Sequence, residues 1–222
     1  VRVQWRGEDD MQRDYYRSVW VQRLEAGFDA SGKVIAWRHR LAFPSISATF
    51  APGVEGPEPD ELANGASDIP FAIPNISVEA CPALAQVRIG WYRSVYANHI
   101  CVAIGSFVDE LAHAQKRDPL EFWLELLGTD RRVDLSRAGL VAPASNYGAN
   151  WIDYPLDTGR ARHVLQLAAE KSGWGSPLPK GRGRGIARMR SFLSYVAMVV
   201  GVEGQEDGTV RGPRAPAAMG AG

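Results

Sequence analysis

The chain has 222 residues, 45% of them hydrophobic and 23% charged, which is enough for one large or two small globular cores. With 25 basic and 25 acidic residues the formal net charge is zero, so no basic face points to a nucleic-acid partner. No apolar run reaches the ~18 residues of a transmembrane segment, and two cysteines, Cys81 and Cys101, are too few for a disulfide scaffold and read as small buried hydrophobes.

Val1 to Trp5 alternates like a strand already under way. Glu8, Asp9 and Asp10 suit the positive end of a short helix, and with Asp14 they read as a solvated helix start rather than an acid/base site. "VWVQRLEAGF" and "KVIAWRHRLAF" form a hairpin around Asp29-Ala30-Ser31-Gly32, where Gly32 supplies the positive φ of a tight reversal. Residues 44–75 are rich in proline and glycine and read as an excursion. A second extended segment is expected from Ile76 to Tyr92.

A long helix follows, with Asn98 as its expected N-cap and Ile100, Ile104, Phe107, Val108 and Leu111 as its apolar stripe. Asp118-Pro119 caps the next helix, which buries Leu120, Trp123, Leu124 and Leu127 and ends at Gly128. Residues 129–156 read as irregular. Asp157-Thr158 caps a third helix, carrying Val164, Leu165, Ala168 and Ala169 inward and broken at Gly173. Ile186 to Glu203 reads as one long strand. From Gly212 to Gly222 small residues and prolines replace the alternating pattern, and a disordered or aberrant tail is expected. The pattern as a whole predicts an α+β fold, with mixed and antiparallel strands and hairpins covered on one side by about three helices, as an incomplete part of a larger domain.

Few residues suggest chemistry. "KGRGRG", residues 180–185, lacks the strand-then-helix setting of a phosphate cradle and reads as a lead-in to a strand. The four histidines are scattered without ligand spacing, so no protein-held metal is expected. Arg93 stands out. It sits where an extended run hands over to a helix, and a guanidinium beside the free N–H groups of Ser94 to Ala97 makes a clamp for an anion or an oxygen ligand. The alternative is a surface arginine stacked on Trp91 or Tyr92.

Six segments in order, "VRVQWRGEDDMQRDYYR", "AIPNISVE", "RIGWYRSV", "SFVDELAHAQKRDPLEFWLELL", "PLDTGRARHVLQLAAEKSGWGSPLPKGRGRGIA" and "SFLSYVAMVVGVE", resemble the molybdopterin-binding large subunit of the xanthine dehydrogenase/aldehyde oxidase family. The nearest type is the isoquinoline 1-oxidoreductase beta subunit, and the resemblance runs over residues 1–211. It implies a molybdenum–molybdopterin cofactor in the cytosine dinucleotide form, and iron–sulfur clusters on a small partner subunit. The implied reaction hydroxylates an N-heteroaromatic compound or oxidises an aldehyde with water as oxygen donor. By the same resemblance Arg93 and Ser94 face the cofactor, while Val95 and Phe192 line the substrate pocket. The catalytic glutamate is expected outside this chain, which would leave residues 1–222 inactive alone. Tyr96 and Gly105 depart from the family pattern, Tyr96 by crowding a corner that is often glycine-rich. Leu62 or Ala63 stands where the purine-oxidising branch has an arginine, which argues against purines. A cofactor-free binding or assembly module, or a decayed gene product, are the competing readings, and the compartment stays open.

Overall fold

The computed structural model describes residues 1–136, 139–140 and 144–221. Two sheets flank a set of helices. The first sheet holds β1 (Val21–Phe28), β2 (Val34–Phe43) and β3 (Asn75–Pro82) in that order. β1 and β2 form the expected hairpin, with Gly32 at φ 82°. The Asp29 carboxylate closes the turn by accepting from the Ser31 N–H at 2.8 Å and the Lys33 N–H at 3.1 Å. β3 then pairs with β2 in parallel, its residues mostly exposed.

Parallel pairing needs a crossover, and the excursion supplies it. It contains two short helices, α2 (Ile46–Phe50) and α3 (Pro59–Leu62). Glu61 ties them together. Its buried carboxylate accepts from the Ile46 N–H at 3.0 Å, the Ser47 N–H at 3.1 Å and the Glu58 N–H at 2.9 Å. A carboxylate with several backbone donors is satisfied without a cation.

Three helices form the centre. α4 (Ala97–Ala114) buries Ile100, Ile104, Val108 and Leu111 on one stripe, as the 3–4 spacing predicts. α5 (Pro119–Leu127) is capped by Asp118, which accepts from the Glu121 N–H at 3.1 Å and from Trp174 Nε1 at 2.9 Å. α6 (Thr158–Ser172) is capped by Asp157 and stopped by Gly173 at φ 69°. All three pack against a second sheet, made of β6 (Arg182–Ser191), β7 (Ser194–Gly204), β8 (Val210–Arg214) and β9 (Ala217–Gly220). A two-residue-long pair, β4 (Arg132–Val133) with β5 (Leu156–Asp157), lies between α5 and α6 in the chain. Trp37 of β2 meets Phe71 and Phe107 edge-on at 5.2 Å each, which joins the first sheet to α4. No helix among the described residues is long and apolar enough to cross a membrane. The architecture is α+β, as the pattern predicts.

Several expectations change. Val1 to Trp5 forms no strand and is exposed, while α1 (Gly7–Arg13) forms as the acidic cluster suggests. The extended segment from Ile76 ends at Pro82, and residues 83–92 make only one parallel bridge, Ile89 to Tyr16. The single long strand at 186–203 is a hairpin. β6 and β7 pair in antiparallel register from Arg182↔Glu203 to Ser191↔Ser194, around Phe192 and Leu193. The residues expected to be disordered from 212 onward contribute to β8 and to β9, which pairs with β7 and buries Ala218. Small side chains suffice there because the ladder bonds are backbone bonds and Ala218 fits under α6. Gly222, and residues 137–138 and 141–143 within the irregular stretch, lie outside the described residues. Cys81 is exposed on β3 rather than buried, and Cys101 is half-buried.

Candidate functional site: the corner before α4

Residues 91–96 turn the chain into α4 with an uncommon backbone. Ser94 has φ 57° and Val95 φ 44°. Left-handed φ is costly for any residue with a Cβ and most of all for a β-branched one, so Val95 stores strain of about 1–3 kcal/mol. Something must hold it, and the holder is Arg17. Its Nη1 donates to the Arg93 carbonyl at 2.9 Å and to the Val95 carbonyl at 3.0 Å. With its amide oxygen turned to the guanidinium, Asn98 accepts from Arg17 Nη1 and Nη2 at 2.9 and 3.0 Å. The Arg17 guanidinium also lies 4.9 Å over the Tyr92 ring.

This geometry revises the sequence reading in three ways. The arginine on the corner's aromatic ring is Arg17, not Arg93. The helix begins at Ala97 with Tyr96 in the cap position, so Asn98 serves the Arg17 clamp and not an N-cap. Of the N–H groups expected to be open, Val95 donates to the Tyr92 carbonyl at 3.0 Å and Ala97 to the Ser94 carbonyl at 2.8 Å. That of Ser94 has no partner among the described residues. The exposed Arg93 side chain likewise makes no hydrogen bond or ion pair there.

Tyr96 does not crowd the corner. Its ring turns inward, 5.5 Å from Trp20 and 6.0 Å from Phe43, and its hydroxyl donates to the buried Glu61 carboxylate. Burial, reinforced by Glu61, pushes the Tyr96 hydroxyl well above the ordinary phenol range, so it stays a donor. The excursion and the corner are therefore one hydrogen-bonded unit. Trp91 stacks on Phe50 of α2 at 4.8 Å.

Val95 is half-buried against the core. Phe192 is exposed at the tip of the β6–β7 hairpin, where it and Leu193 hold φ 47° and 68°, and its ring lies 4.8 Å from Tyr147. No hydrogen bond or ring contact joins Phe192 to residues 93–95 among the described residues. They share one end of the molecule because α4 runs against β6 in the opposite sense. Gly105 lies against Ala187 and Cys101 against the Arg188 carbonyl, which sets the start of α4 toward the end of β6. A Cβ on Gly105 would meet Ala187 Cβ at 3.3 Å, so the glycine permits this close approach. Arg17 and Asn98 are the corner residues that sequence reasoning missed. Neither carries a motif, since the clamp spans 76 positions of sequence.

No protein-family model matches the chain. Among curated proteins it is similar to a membrane-bound, pyrroloquinoline-quinone aldehyde dehydrogenase of Gluconacetobacter polyoxogenes, 34% identical over 81% of this chain and 22% of that protein. It is also similar to a nicotinate dehydrogenase subunit of Pseudomonas putida, 31% identical over 62% of this chain and 12% of the relative. The isoquinoline 1-oxidoreductase beta subunit of Brevundimonas diminuta is 26% identical over 60% of this chain and 17% of the relative. A solved aldehyde oxidoreductase of Desulfovibrio gigas aligns with 93% of this chain and 22% of its own, at 16% identity and TM-score 0.44. The three curated relatives are oxidoreductases by name, and the chain spans about a fifth or less of their length. Similarity to these curated oxidoreductases supports the resemblance to the molybdenum hydroxylase family read from the sequence.

Proposed function

We propose that this chain forms one wall of the active site in a molybdenum-dependent oxidoreductase that acts on N-heteroaromatic compounds or aldehydes. The observation that carries the reading is the corner at 93–95. The fold strains two residues to leave the Arg93 guanidinium and the Ser94 N–H outside its own hydrogen bonding. Free donors around a positive charge fit an oxygen-rich, anionic group such as a pterin dinucleotide. Tyr96, turned inward, leaves room for it.

In this reading Arg93 and Ser94 hold the molybdenum–pterin group, in its cytosine dinucleotide form. That group supplies the two-electron oxidation, with electrons leaving through iron–sulfur clusters on a small partner subunit. Val95 and Phe192 supply apolar surface that orients a flat substrate. The proton-accepting glutamate belongs to another part of the subunit, so residues 1–222 alone are inactive.

The test is the full-length protein from a cofactor-competent host. It should carry molybdenum and pterin near one per subunit, and Arg93→Ala should lower both at least several-fold while the protein remains folded. Full-length protein carrying pyrroloquinoline quinone instead, or neither cofactor, would overturn the assignment. Turnover of an aldehyde or heterocycle by residues 1–222 alone would overturn the division of labour.

A further inference from the structure

β6 carries an anomaly that the proposed function does not use. Its inward face reads Ile186, Arg188, Arg190, with the two arginines at positions where alternation calls for apolar side chains. Arg188 is 8% exposed and Arg190 3%. Both line a cavity of about 20 Å³ together with Asp68, Cys101, Ile104 and Trp123. That is room for one water-sized particle.

The cavity's charges do not balance. Asp68, 3% exposed, is the one carboxylate lining it opposite the two guanidiniums, and its nearer approach, to Arg190 Nη1, is 4.0 Å, too long for a hydrogen bond. Asp68 instead accepts from the Gly65 N–H at 2.5 Å. Arg190 Nη2 donates to Asn146 Oδ1 at 2.5 Å. The Nε and Nη1 groups of both arginines have no hydrogen-bond partner among the described residues. Burial pushes the Cys101 thiol upward, so it adds no negative charge here, and Asp68 offsets one of the two guanidiniums. A buried guanidinium left without an acceptor costs several kcal/mol.

We propose that this cavity is a binding site for one small monovalent anion of halide size, held by Arg188 and Arg190. Sulfate and phosphate are too large for the space. The ligand accepts from the orphaned N–H groups, as a water would, and also neutralises the uncompensated cation, which a water cannot. The site lies beneath the hairpin tip, because the Tyr147 ring touches both Phe192, at 4.8 Å, and the Arg190 guanidinium, at 5.7 Å. The inference is independent of the cofactor assignment.

The test is unfolding of the chain in sodium chloride against sodium gluconate at constant ionic strength. Chloride should stabilise saturably. At a hundredfold excess over Kd the unfolding constant should fall by about a hundredfold. Arg188→Met should abolish the saturable part. Asp68→Asn, which removes a competing negative charge, should tighten chloride binding by on the order of tenfold or more, where a merely structural carboxylate would weaken it. Crystals of the unaltered chain grown in bromide should show one anomalous peak between the two guanidiniums, a measurement that needs no variant to fold. Identical curves in chloride and gluconate, water alone in the cavity, or a bromide peak without saturable stabilisation would each refute the site.

Discussion

Removing Arg17 is the sharpest probe of the corner. Arg17→Ala deletes two charge-assisted bonds, to the Arg93 carbonyl at 2.9 Å and the Val95 carbonyl at 3.0 Å, and the cation–π contact with Tyr92. Each such bond contributes about 1.5–3 kcal/mol when buried, and half-exposure reduces that to about 1 kcal/mol apiece. The aromatic contact adds about 0.5 kcal/mol. Against this stands the strain at Ser94 and Val95, about 1–3 kcal/mol each. Without the clamp the strain wins and the corner opens. Global stability should fall by about 1–2 kcal/mol, or about 2–4 °C in Tm per kcal/mol for a chain of this size. Amide exchange reads the opening directly. The Val95 and Ala97 N–H groups, now bonded to the Tyr92 and Ser94 carbonyls, should exchange roughly ten- to thirtyfold faster than the global loss explains. Amides of α6 should follow the global change alone. Equal acceleration everywhere, or no change at Val95 and Ala97, would show that Arg17 does not hold the corner.

Gly105→Ala gains about 1 kcal/mol of helix propensity but sets a methyl 3.3 Å from Ala187 Cβ. In a double-mutant cycle with Ala187→Gly, chemical denaturation should reveal a coupling of about 1 kcal/mol favouring the pair that keeps one methyl. His39 is wholly buried and burial lowers its pKa to about 4 from 6.5. The unfolded chain therefore takes up the proton first as pH falls. Stability should be full above pH 6.5 and decline by up to about 1.4 kcal/mol per pH unit toward pH 4. His39→Gln should flatten that slope in urea titrations at fixed pH. Leu193→Gly, at φ 68° in the β6–β7 turn, should raise Tm by relieving about 1 kcal/mol of left-handed strain while leaving Phe192 in place.

Much of the scaffold was legible in local chemistry. Asp118-Pro119, Asp157-Thr158, Gly173 and the Asp29–Gly32 turn each act within a few residues, and each does in the fold what its type predicts. The β6–β7 hairpin was hidden because Phe192 and Leu193 occupy positions where asparagine and glycine normally announce a reversal. β9 was hidden because alanine and glycine carry little strand signal. At the site, the position of Arg93 at the turn was readable, but its freedom was not. That freedom depends on Arg17 arriving from the N-terminal region and on Glu61 drawing Tyr96 inward. The arginines of β6 stand in plain alternation with Ile186, and a charge at a core position was itself a signal.

The parallel pairing of β2 with β3 sets the order in which this chain can assemble. β1 and β2 can zip locally, but β3 finds its partner only after residues 44–74 have crossed over and docked through Glu61. The entropy of closing that loop is lost before the pairing offsets it. Renaturation should accordingly be slow and biphasic, and lesions that loosen α2 or α3 should trap a species with the first hairpin made and β3 adrift.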